Sequence, residues 1–182
     1  MADEARARFS DKATGQLRRL ERLIQDVLLF ARGESIGRDV IDAGDLLGEA
    51  AQTVEPLMRE HGLQFAAVNP DFEAILVGSR KALFGAWINL LENAMQATPA
   101  GGKICLSGNR RGDLLAIGVR DSGPGIAAHD LNAVQQRHVR ADAAHLGYGL
   151  GLSIVGSIAR QHGASFSLTS PVPGRSSGLQ AM

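Results

Sequence analysis

The stretch Asp121-Ser122-Gly123-Pro124-Gly125-Ile126 follows an apolar run, Leu114-Leu115-Ala116-Ile117-Gly118-Val119. An aliphatic, β-branched run entering a Gly-x-Gly turn reads as a strand that stops at an exposed backbone corner. An acid where that strand ends can point a carboxylate into a pocket, and the glycines let a ligand approach the backbone closely. Asp and Gly are also ordinary turn residues, so a plain turn is the second reading. The company of this corner bears on the choice. Asn89-Leu90-Leu91-Glu92-Asn93-Ala94 stands upstream, and Gly147-Tyr148-Gly149-Leu150-Gly151-Leu152 downstream.

The upstream stretch belongs to a helix that Ser79 is placed to cap. On a helical wheel Leu83, Ala86, Trp87, Leu90, Ala94 and Ala97 share one apolar side. Asn89, Asn93 and Gln96 cluster on a separate flank with Glu92 beside them. Asn is a poor residue for an exposed helix, because its side chain competes for backbone hydrogen bonds. A pair at i and i+4 therefore asks for a reason, the alternative being a solvated polar face. Downstream, glycines opening a helix through Ile154, Val155, Ile158 and Ala159 to Gly163 make an anion site. Free backbone N–H groups and the positive end of the dipole face outward there.

The remaining segments frame these three. From Ala13, the residues Leu17, Leu20, Ile24, Val27 and Ala31 mark an a/d seam on a helix ended by Gly33. Such a helix implies a bundle or a dimer, or else packs back on its own domain. Residues 34–44 read as a linker into an extended segment around Asp39-Val40-Ile41. Asp45 then caps a helix to about His61, with Leu46, Leu47, Ala50, Val54, Leu57 and Met58 inward and a kink or early break possible at Pro56. Leu63 to Val68 and Phe72 to Val77 read as a hairpin turning at Asn69-Pro70-Asp71. Lys103 to Gly108 and Asp113 to Val119 form a second strand pair turning at Asn109-Arg110-Arg111-Gly112. Ala127 to Leu146 is a long polar connection, a functional lid or a disordered segment. Ser165 to Ser170 is a further strand, and Ser176 to Met182 starts a last one. The fold class is α+β, with a mostly antiparallel mixed sheet against helices and one long helix in front.

Among 182 residues, 45% are hydrophobic, enough for one domain with a core and a small appendage. Lys plus Arg and Asp plus Glu each number 19, so no bulk charge recruits nucleic acid or an anionic membrane. The single cysteine, Cys105, reads as a small buried apolar residue and forms no intrachain disulfide. No apolar run approaches the roughly 20 residues of a membrane helix, and no signal-peptide pattern opens the sequence. The expectation is a cytoplasmic, soluble chain without a membrane segment, in a parent free to be membrane-associated.

Together and in this order, the three motifs resemble the catalytic ATP-binding domain of two-component sensor histidine kinases. That domain belongs to the superfamily shared with gyrase, Hsp90 and MutL. Asn89 to Thr98 is similar to the asparagine box, Asp121 to Gly125 to the first glycine box, and Gly147 to Leu152 to the second. The resemblance divides the chain into 1–34, part of a dimerisation and phosphoacceptor hairpin, and 35–182, the catalytic ATP-binding domain as a two-layer sandwich. It implies that Asn93 ligates Mg²⁺ and Asn89 holds the metal–phosphate unit; hard amide oxygens suit that ion. It implies that Asp121 accepts a hydrogen bond from the adenine amino group. Gly123, Gly125 and Ile126 would pack on the base, and Gly147, Gly149, Leu150 and Gly151 would cradle the phosphates. Glu92 either orients the nucleophile or is a surface acid, and Arg137 and Arg140 either pair with phosphate oxygens or are solvated.

The implied partners are ATP or ADP, a response regulator, and a second copy through the N-terminal helix in the full-length protein. The sequence departs from the family in two places. The lid region Ala128 to Ala144 has no aromatic pair, only Leu131, Val134 and Val139. None of His61, His129, His138, His145 and His162 has the phosphoacceptor context, so the accepting histidine is expected on a helix before Met1. The implied activity is transfer of the ATP γ-phosphate to a histidine outside this chain. The alternatives are a degenerate nucleotide-binding interaction module and a gyrase- or MutL-like ATPase, the latter disfavoured because Asn89 stands where those enzymes place a glutamate base.

Overall fold

A computed structural model describes residues 38–68, 74–135 and 151–182, which belong to one compact unit, Ile36–Met182. The seam helix of residues 13–32, the Asn69-Pro70-Asp71 turn and residues 136–150 lie outside the described residues. The order is β1 (Asp39–Asp42), α1 (Ala43–Glu60), β2 (Gln64–Val68), β3 (Ile75–Gly78), α2 (Arg80–Ala97), β4 (Lys103–Arg111) and β5 (Leu114–Asp121). Then follow α3 (Ala128–Gln135), α4 (Gly151–Gln161), β6 (Leu168–Thr169) and β7 (Gln180–Ala181). Five strands form one sheet in the order β2-β4-β5-β7-β6, and β1 and β3 pair as a separate ribbon. Only β2 and β4 run parallel in the larger sheet, so it is mixed and mostly antiparallel, as the α+β reading requires.

The helices cover one face of that sheet. In β4, Ile104 and Leu106 are buried while Lys103, Cys105 and Ser107 alternate away from the core. Cys105 is thus half-buried on the opposite face, not the buried apolar residue expected. Across the layer, Leu46, Leu47 and Met58 of α1, Trp87, Leu90 and Leu91 of α2, and Leu152, Val155 and Ile158 of α4 join one core with Ile104, Leu106 and Val119. Leu91, fully buried, lies outside the apolar set read from the wheel, because α2 is covered from two sides.

Several local expectations are corrected. The cap of α1 is Asp42, whose Oδ1 accepts from Gly44 N at 2.8 Å and Asp45 N at 3.1 Å; Asp45 lies inside the first turn. Losing such a cap costs about 1 kcal/mol. Asp42→Ala is therefore expected to lower the thermal midpoint by a few degrees, and an unchanged melting curve would refute the assignment. The helix passes through Pro56 without ending. Gln52 and Pro56 both face solvent, where water can take up the freed carbonyl. Leu57 is exposed, and Ala43 and Ala51 face inward in its place.

The expected hairpin of β2 and β3 does not form. β2 pairs with β4, setting Phe65 beside Ile104, and β3 pairs with β1. A parallel neighbour needs a crossover, and α2 supplies one that buries its own apolar face on the sheet. The β4–β5 hairpin runs to the Arg111–Leu114 pair, so it turns at Gly112-Asp113, three residues beyond the expected start of the turn at Asn109. The lid region opens as a helix, α3, where Leu131 packs on the core. Ser165 to Ser170 contributes only the short β6, bonded to β7 beside a Ser167–Met182 exchange of backbone hydrogen bonds.

Candidate functional site

Three segments of the chain meet around α2. Ser79 caps the helix, its Oγ accepting from Ala82 N at 3.3 Å. That start sets the register in which Leu90 and Ala94 turn inward and Asn89 and Asn93 turn toward α4. Gly151, the first residue of α4, lies against both amides. A Cβ built there would stand 3.0 Å from Asn93 Nδ2 and 3.6 Å from Asn89 Oδ1. Any side chain at 151 would fill the space into which the amides point.

Asn93 Nδ2 is buried and has no hydrogen-bond partner among the described residues. Buried polar groups are nearly always paired, so this unpaired amide stands out among the described residues. Turning the amide over presents Oδ1 to the same space. Glu92 is half-exposed beside the pair, and Gln96 is exposed.

The strand-end corner packs on the other end of α2. A Cβ at Gly123 would lie 2.7 Å from Ala97 O, so only glycine lets this turn close on the helix terminus. Asp121 is 3% exposed, the only buried acid among the described residues. Its Oδ1 accepts from Gly123 N at 2.8 Å and from Leu179 N at 3.2 Å. Oδ2 has no partner among the described residues. Burial pushes the carboxyl above the usual aspartate range, and the two backbone N–H groups pull it part of the way back.

Ser170 and Gly178 complete the corner and carried no local signal in the sequence. Ser170 Oγ accepts from Ile126 N at 2.9 Å and donates to Gly178 O at 3.0 Å, bridging the loop to the segment that leads into β7. Gly178 has φ +94° and lies directly on the Asp121 carbonyl, a position closed to any side chain. Of the residues singled out from sequence, Asn89, Asn93 and Gly151 come together, and Asp121, Gly123, Gly125 and Ile126 form the adjoining corner. Arg137, Arg140, Gly147, Gly149 and Leu150 lie outside the described residues.

Comparison with known proteins places this arrangement among relatives. The family model "Histidine kinase-, DNA gyrase B-, and HSP90-like ATPase" matches residues 78–179, more than half of the chain. Sensor protein SphS of Synechococcus elongatus is 32% identical over 167 residues, covering 84% of this chain and 40% of that protein. Histidine protein kinase DivJ of Caulobacter vibrioides is 32% identical over 155 residues, covering 81% of this chain and 26% of that protein. The chain thus spans well under half the length of these curated relatives. Among solved structures, full-length ShkA in complex with AMPPNP superposes with a TM-score of 0.75 at 24% identity, over 90% of this chain and 35% of that one. Histidine kinase ThkA in complex with response regulator protein TrrA gives 0.73 at 22% identity, over 92% and 47%. These structures share the fold described above.

Proposed function

We propose, for a chain that belongs to the family of histidine kinase-, DNA gyrase B- and HSP90-like ATPases, that residues 36–182 bind Mg²⁺·ATP and present its γ-phosphate to a protein histidine. The phosphoryl group then passes to a response regulator. ATP is the nucleotide of that family. The observation that carries the reading is the seating of Gly151 on Asn93 and Asn89 at the start of α4. The N-terminus of an 11-residue helix attracts anions, and the amide pair beside it offers hard oxygens to the cation that accompanies them.

The donor set fits Mg²⁺, which takes one or two protein oxygens and keeps phosphates and waters as its other ligands. Asn93 would hold it, with Asn89 on the metal–phosphate unit; bound there, the ion offsets charge on the phosphates. The orphaned buried Nδ2 of Asn93 supports a ligand at this position. Asp121, whose Oδ1 is held by two backbone donors, would turn Oδ2 to the adenine amino group. Gly123, Gly125 and Ile126 would wall the base, while Gly147, Gly149, Leu150 and Arg140 would close on the phosphates.

Phosphoryl transfer asks a protein mainly for positioning and charge stabilisation. Glu92, one residue before Asn93, is the acid nearest in sequence that can orient the incoming nucleophile. A helix over residues 13–32, if formed as the seam predicts, would pair with a second copy. A unit that draws on cellular ATP would work in the cytoplasm. Among the described residues no helix is long and apolar enough to cross a membrane.

Incubation with γ-labelled ATP tests the assignment. Alone, the chain is expected to take no acid-labile label on any of its five histidines. With a histidine-bearing helical hairpin from a sensor-kinase relative added, acid-labile, base-stable label is expected on the hairpin. ATP binding without transfer to any hairpin would instead identify a nucleotide-binding interaction module. Steady release of free phosphate with no labelled protein would identify a gyrase-like ATPase.

A further inference from the structure

His162 stands just past the end of α4, and its ring is held at both nitrogens. Nδ1 lies 2.8 Å from Ile158 O, a carbonyl that can only accept, so Nδ1 carries the proton. Nε2 then has a free lone pair, and it accepts from Ser79 N at 3.0 Å across 83 residues of chain. The two partners specify one neutral tautomer. The floor of the ring is Gly78, the last residue of β3. A Cβ there would lie 2.5 Å from His162 Cδ2 and 2.8 Å from Nε2, at a glycine whose backbone is outside the left-handed region. Space for the imidazole, rather than backbone conformation, calls for glycine at 78.

The consequence lies at the far end of the same helix pair. α2 and α4 run antiparallel: the cap of α2 meets the C-terminal end of α4, and Asn89 and Asn93 meet its first residue. From Ser79 the helix rises about 15 Å to Asn89 and about 21 Å to Asn93, and the roughly 16.5 Å from Gly151 to His162 falls between the two. Two contacts at matching distances along both helices set their register. A slide of one residue, about 1.5 Å, would shift Gly151 along the roughly 6 Å between Asn89 and Asn93 and change its contact with both amides.

We propose that His162 is a positioning residue for the nucleotide site, clamping the register of α2 against α4 so that Gly151 stays opposed to Asn93 and Asn89. This rests on the nucleotide-binding reading above. The clamp is distinct from the cap that Ser79 Oγ provides, because it ties two helices together rather than ending one.

Nuclear magnetic resonance and calorimetry on the full chain test it. Long-range ¹H–¹⁵N spectra are expected to show His162 as the Nδ1–H tautomer, and the Ser79 amide is expected to be protected from exchange. His162→Ala should expose that amide and weaken ATP binding by about three- to tenfold, the range for one lost hydrogen bond. His162→Gln, whose Oε1 can reach Ser79 N, should restore both; Gly78→Ala, which displaces the ring, should reproduce the alanine phenotype. A proton on Nε2 overturns the proposal. So does His162→Ala with a folded spectrum, an exchanging Ser79 amide and unchanged ATP affinity, since the bond would then be a cap alone. A wild type that binds no nucleotide overturns the functional reading instead, and the tautomer and Ser79 protection still report on the clamp.

Discussion

Asp121→Ala is expected to weaken ATP binding by roughly tenfold to a hundredfold, the cost of a buried hydrogen bond to a charged group. The alanine also strips the acceptor from Gly123 N and Leu179 N, so part of its effect would come through the fold. Asp121→Asn separates the two. An amide keeps Oδ1 on both backbone donors but sets an NH₂ where Oδ2 stood, opposing one donor to the adenine amino group with another. Its affinity should fall while its spectrum stays native. Calorimetric titration of the three proteins checks this, and equal affinities would remove Asp121 from the base site.

Stability carries the sign of the carboxyl's environment. Burial raises the folded-state value of Asp121 above the ordinary 3.8. The folded chain therefore holds this proton to higher pH than the unfolded chain does. The contribution is fully present below 3.8 and is lost as pH rises through the raised folded value. Asp121→Asn escapes that loss. Near neutral pH it should be at least as stable as the wild type, with the difference closing as pH falls into the carboxylate range. A gap that widened on acidification would reverse the assigned cause.

Asn93→Ala is expected to cut ATP affinity by at least roughly tenfold in Mg²⁺, the scale on which metal sites respond to lost partners. In EDTA the loss should be far smaller. The same substitution removes a buried amide nitrogen that has no partner among the described residues, so it should leave stability unchanged or slightly raised. A residue that costs the fold nothing and binding a great deal is there for its ligand. An identical loss in both buffers would exclude Asn93 as a metal ligand, and a marked fall in the melting temperature would mean that its role is structural.

The sequence by itself determined what repeats locally. Helix periodicity separated Trp87, Leu90 and Ala94 from the flank of Asn89 and Asn93, because both sets lie within a few turns of one helix. The Ser79 cap and the stop of β5 at Asp121 were legible for the same reason, each resting on neighbours a few residues away. The α+β class followed from counting such segments. The Asp42 cap was missed by three residues, since two aspartates near one helix start compete and only the backbone of the entering strand decides between them.

Tertiary structure decided every pairing except the β4–β5 hairpin, whose strands are neighbours in sequence. Short strands such as β2 and β3 carry the same alternation whether they pair with each other or elsewhere. What selected β4 for β2 was the cover that the α2 crossover gives the sheet, a gain no local window contains. The second donor on Asp121 comes from Leu179, 58 residues on, and the ring that clamps Ser79 comes from 83 residues away. Gly151 reads in sequence as one glycine among several opening a helix. It reaches the Asn93 amide only because α4 lies antiparallel on α2.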